Sequence, residues 1–216
     1  MRLSFSPIVC PDAAGALTRR RRERRAFSLI ELLVTLALLL VISSMYFGFS
    51  SPTRQRSSKE RCAGNLQKIF LAADLYARDH GGSFPAVSNA LTAEEPLDLL
   101  VPQYTADRGV FICPGSKDAP LPSDAALVAS KISYAYYMGR RSGGAATVLM
   151  SDAQVDTRAK AAGDAIFSTT GNPPGNKHHR FGGNLLFTDG HAEASPTNLA
   201  MALPLPAGVE LLNPKP

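Results

Sequence analysis

Four residues near the C-terminus, His178, His179, Asp189 and His191, belong to types that ligate metals, since imidazoles and a carboxylate are ordinary Zn²⁺ ligands. Asp152, Asp156 and Asp189 could supply oxygen ligands to Ca²⁺, although their spacing follows no known Ca²⁺ loop. The same residues also read as plain structure. Asp189-Gly190 is a turn signal within NLLFTDGHAEA, and His179 would then hydrogen-bond a loop. No cofactor is expected on that reading. A metal held by His179, Asp189, His191 and Asp152, or a bound Ca²⁺, is the alternative. No nucleophile–base pairing stands out. Gly143-Gly144 follows Arg140 and Arg141 but lacks the strand–loop–helix and Lys-Ser/Thr of a phosphate loop. The chain is therefore not expected to be an enzyme.

Glu31 is the residue whose placement demands more. It is the single charge in the 23 residues from Phe27 to Phe49, FSLIELLVTLALLLVISSMYFGF. As a helix this run would extend ~35 Å, enough to cross a hydrocarbon layer of ~30 Å. An ionised side chain inside a bilayer costs roughly 3 kcal/mol or more and tends to mark function. Glu31 thus fits poorly with an ordinary single-pass anchor, and with a secretory signal built on the Leu-rich core Leu32–Ile42.

The elements that must position these residues follow from charge and period. The formal charge of +5 resides wholly in residues 1–26, which hold seven Arg against Asp12 and Glu23, so residues 27–216 balance to zero. A basic block before an apolar run is a cytoplasmic-retention signal rather than a nucleic-acid face. No nucleic-acid partner is expected, because such binding draws on phosphate neutralisation. Residues 1–26 read as a leader, 27–51 as a transmembrane helix and 52–82 as its amphipathic continuation, with an interruption at Gly48 and Pro52. Cys62, Leu66, Ile69, Phe70, Ala73, Tyr76 and Ala77 form one apolar stripe, and Gly81-Gly82 with Pro85 ends the helix. Residues 83–216 read as a globular α+β domain. Leu97–Val101 suggests a short helix. Val110–Cys113, Ala145–Ser151, Ala165–Thr169 and Asn184–Thr188 suggest strands. A two-residue Asp189-Gly190 turn sets Thr188 opposite His191, Phe187 opposite Ala192, Leu186 opposite Glu193 and Leu185 opposite Ala194. No internal repeat is found.

Cys10 lies in the leader, leaving Cys62 and Cys113 in the body. An even count permits one disulfide in an exported domain, and two buried thiols are the other reading. A bridge there would close a loop of about 50 residues and contribute ~4 kcal/mol in the chain-entropy model.

The string Ala26-Phe27-Ser28-Leu29-Ile30-Glu31-Leu32-Leu33 resembles the cleavage and methylation site of type IV prepilins and type II secretion pseudopilins, with Ala26 where that family has Gly. The resemblance implies a prepilin peptidase that cuts between Ala26 and Phe27 and methylates the Phe27 amine, with Glu31 as the motif's acid. Such a cut creates an ammonium one helical turn from Glu31. If the amine belongs to an adjacent subunit, the pairing fixes the stagger of a helical assembly, since an unpaired carboxylate in lipid is costly. The strings Cys62-Ala-Gly-Asn65-Leu66, Tyr76-Ala-Arg-Asp79, Gly82, Pro85, Phe111-Ile-Cys113-Pro114, Ser133-Tyr134 and Asp152 look like a pseudopilin-like group abundant in planctomycete-type bacteria. So does its signature of a His, nine residues and Asp-Gly, here His179 with Asp189-Gly190.

The implied fold is α+β, a long N-terminal transmembrane-plus-amphipathic helix packed on a small, mostly antiparallel sheet. The implied function is a pseudopilin, a structural subunit of a type II secretion-like pseudopilus. It would sit in the inner (cytoplasmic) membrane with one crossing and a periplasmic C-terminal domain. Its partners would be prepilin peptidase, other pseudopilin subunits through the N-terminal helix, and the inner-membrane secretion platform. A minor type IV pilin of a surface fibre or DNA-uptake system is the alternative, and a membrane-tethered metal-dependent hydrolase a further one.

Overall fold

The computed structural model describes residues 28–48, 52–122, 124–154, 157–164, 182–195 and 204–216. The chain divides into two units, Met1–Gly48 and Phe49–Pro216.

In the first unit, α1 spans Leu29–Gly48. Its Leu-rich sequence favours helix, and the first glycine of the run, Gly48, is its last residue. Leu32 N–H donates to Ser28 O (3.1 Å) to close the first turn. The hydroxyls of Thr35 and Ser44 donate to carbonyls three residues back, at 2.9 and 2.8 Å, so neither needs an outside partner. Among the described residues no helix is by itself long and apolar enough to cross a membrane. The span expected over 27–51 extends past α1 to Phe27 and to residues 49–51, which lie outside the described set.

In the second unit, α2 (Pro52–Asp79) begins on a proline, whose fixed φ and missing N–H suit a first helical position. It ends where Gly82 N–H reaches back to Ala77 O (2.7 Å), with Gly81 and Gly82 at φ +62° and +84°. The expected apolar stripe is the buried face. Cys62, Leu66, Ile69, Ala73 and Ala77 are fully buried, while Arg61, Lys68 and Arg78 are exposed. That face packs on a five-stranded antiparallel sheet of β1 (Tyr134–Met138), β2 (Val148–Asp152), β3 (Asn184–Phe187), β4 (Ala192–Ala194) and β5 (Glu210–Leu212), in spatial order β4-β3-β2-β1-β5. The architecture is α+β. One core joins α2 to Tyr134, Tyr136, Met138, Met150, Leu186 and Leu212. A smaller cluster holds Tyr137, Val148, Leu185 and Leu205.

Several expectations are corrected. Val110–Cys113 is not a strand, because a short 3-10 turn covers Arg108–Phe111, opened by Asp107, whose carboxylate accepts from Gly109 N–H (3.0 Å). The short helix is α3, Glu94–Asp98, three residues earlier than Leu97–Val101. It is anchored by Glu94, which is fully buried and accepts from the backbone N–H groups of Ile132 (3.1 Å) and Lys215 (3.0 Å). β2 starts at Val148 rather than Ala145. Strand β1 carries no polar alternation in its sequence, because all five of its residues are buried. Ala165–Thr169 lies outside the described residues.

Candidate functional site

Glu31 sits in the first turn of α1, at the end where unsatisfied N–H groups and the helix dipole favour a negative charge. Around it the apolar side chains are bare on every side: Leu29 is 81%, Ile30 67%, Leu32 61% and Leu33 59% exposed, and exposure continues through Ile42. A helix that is apolar all round and uncovered is half of an interface, with lipid or other helices as its complement. Ala26 and Phe27 lie outside the described residues.

The hairpin that carries Asp189, Gly190 and His191 differs from its expected register by one residue. Asn184 pairs with Ala194, Leu185 with Glu193 and Leu186 with Ala192, and Phe187 N–H donates to His191 O (3.0 Å). The loop is therefore three residues, 188–190, with Gly190 at φ +89° in its third position. Position 190 admits only glycine here, because the Phe70 ring of α2 occupies the space where a Cβ would stand. With this register His191 joins the face of Phe187 and stacks on it, ring centroids 4.2 Å apart. Asp189 Oδ1 is 2.6 Å from His191 Nδ1 and accepts from its backbone N–H (3.2 Å). These bonds to His191 hold the Asp189 carboxyl below its ordinary range. His178, His179 and Asp156 lie outside the described residues. Asp152 lies beside Asn184 at the start of β3, whereas Asp189 and His191 follow its end, so the described metal candidates are not gathered at one point.

Residues 21–47 match the prokaryotic N-terminal methylation motif. No curated protein and no solved structure matches the chain. The methylation motif encloses Glu31 and nearly all of α1, and it stops before α2. It supports a type IV pilin-like precursor, processed by prepilin peptidase and assembled with other pilin-type subunits.

Behind the methylation-motif segment in sequence, the second unit builds a polar cluster under the first half of α2. Cys62 on α2 and Cys113 after the 3-10 turn are joined by a disulfide, their Cα atoms 5.3 Å apart. Asn65 Nδ2 donates to Ile112 O (3.1 Å) one turn further along. Asp152, the last residue of β2, is fully buried, and its Oδ2 accepts from Asn184 N–H (2.8 Å) and Asn184 Nδ2 (3.1 Å). Asn184 Nδ2 also reaches Lys59 O (3.0 Å), and Lys59 Nζ lies 3.5 Å from Ser195 O. Burial pushes the Asp152 carboxyl up to about 7, against the opposing pull of the Asn184 donors and the Lys59 charge. Burial likewise lowers the Lys59 ammonium, with Asp152 opposing. Cys62, Asn65, Cys113 and Asp152 stood out in the sequence. Lys59 and Asn184 did not; an Asn opening the apolar string NLLF was the available signal.

Proposed function

We propose that the protein is a pseudopilin, a structural subunit made as a prepilin and anchored in the inner membrane by residues 27–51. Prepilin peptidase cuts between Ala26 and Phe27 and methylates Phe27, and the mature chain enters a type II secretion-like pseudopilus. The observation that carries this reading is the position of Glu31. It stands in the first turn of a helix that is apolar and uncovered on all sides, inside a segment matching the methylation motif. In the bilayer its carboxylate is under-compensated, and an amine from the neighbouring subunit's Phe27 supplies the missing charge. The second unit is then the extracytoplasmic body, in a compartment where the Cys62–Cys113 bridge persists.

N-terminal mass spectrometry of the mature protein tests this. The expected first residue is methylated Phe27. An intact Met1, or a start near residue 45, overturns it.

A further inference from the structure

The sulfurs of Cys62 and Cys113 and a carboxylate oxygen of Asp152 all lie within 4.8 Å of one another, and all three residues are buried. They come from three separate elements, α2, the segment after the 3-10 turn, and β2, so the convergence is a product of the fold. We propose that in the dithiol form these three side chains bind Zn²⁺, so that the disulfide and the metal site are alternative states of one cluster. The inference does not depend on the pseudopilin reading.

Two thiolates and one carboxylate are a tetrahedral Zn²⁺ donor set with the fourth position left to water. Sulfurs sharing a Zn²⁺ at ~2.3 Å each stand about 3.8 Å apart, so the two sulfurs, bonded to each other in the oxidised chain, must separate on reduction before the metal enters. The carboxylate is oriented in advance, since Asp152 Oδ2 accepts from both Asn184 N–H and Asn184 Nδ2. Donors behind a ligand in this way fix its direction and sustain metal affinity. Charge closes as well. Zn²⁺ with two thiolates and a carboxylate carries −1, and the half-buried Lys59 ammonium, whose charge acts on Asp152, offsets it. The redox balance is simple. A phosphine reductant supplies two electrons and is oxidised to its oxide, taking the oxygen of one water whose two protons complete the two thiols. A dithiol supplies both electrons and both protons itself and becomes a disulfide. Zn²⁺ binding then releases both thiol protons to solvent.

The test uses the full chain in detergent with Cys10→Ser, reduced by a phosphine, and Co²⁺ as the spectroscopic substitute for Zn²⁺. The expected result is one Co²⁺ per reduced chain, with a thiolate-to-metal charge-transfer band and tetrahedral visible bands that added Zn²⁺ abolishes. The oxidised chain should show none. Cys62→Ser should remove one sulfur's share of the charge-transfer band. Asp152→Asn should weaken Zn²⁺ binding by about tenfold or more, whereas Asp189→Asn should not. Absence of the bands in the reduced chain overturns the proposal. So does an affinity unchanged by Asp152→Asn, the result expected if thiols of an unfolded chain were capturing the metal.

Discussion

Gly190 lies under the ring of Phe70: a Cβ built on Gly190 would stand 2.5 Å from Phe70 Cε1 and 2.9 Å from Cδ1. The contact joins the tip of the β3–β4 hairpin to the middle of α2, and it combines with a φ of +89° that only glycine adopts without strain. Gly190→Ala should therefore lose about 2 kcal/mol, from backbone strain and from displacing the ring. Urea unfolding would measure it. Phe70→Ala together with Gly190→Ala should cost less than the sum of the two, because the clash disappears with the ring.

The buried Asp152 sets a pH dependence. Its carboxyl titrates near 7 in the folded chain and near 3.8 in the unfolded one, so between about pH 4 and 7 the folded state holds a proton that the unfolded state has released. Unfolding then releases a proton, and this group's contribution to stability falls as pH rises through that window and levels off above it. Asp152→Asn should flatten the decline. Unfolding curves from pH 4 to 8 on both proteins would show it, and equal slopes would refute the assignment.

Opening the Cys62–Cys113 bridge in metal-free solution should cost ~4 kcal/mol through the entropy of the released loop. The sequence separation is 51 residues. The check is the urea midpoint with and without reductant, alongside Cys62→Ser, in which the reductant should have no further effect.

For Glu31, substitution by Ala should leave membrane insertion intact and block assembly with neighbouring subunits. Fractionation reports the first and cross-linking of the helices the second. Normal assembly of Glu31→Ala would refute the charge-pairing argument.

What the sequence revealed depended on how local the cause was. The methylation motif is contiguous, and the α2 stripe has one buried face, so both were legible from residue type and spacing. Tyr134–Met138 hid because its two faces meet two different apolar clusters. The hairpin register hid because Asp189-Gly190 serves a two-residue or a three-residue turn equally well, and the Phe70 ring packed against Gly190 comes from far away in sequence. The cluster of Lys59, Asp152 and Asn184 hid for a similar reason. Each residue alone reads as an ordinary solvent-facing polar side chain, and only the packing of α2 across β2 and β3 brings them together.

The bridge between Cys62 and Cys113 also divides the chain mechanically. Residues 62–113 include the greater part of the buried α2 stripe and the whole of α3. Tension entering at Pro52 meets a covalent shortcut ten residues later and passes to Cys113 through the sulfurs. The 50 residues between them are held out of the load path, which removes about 170 Å of extensible length. A subunit pulled by its N-terminal end would thus stretch far less than its chain length allows, and the section packed on the sheet would be unloaded.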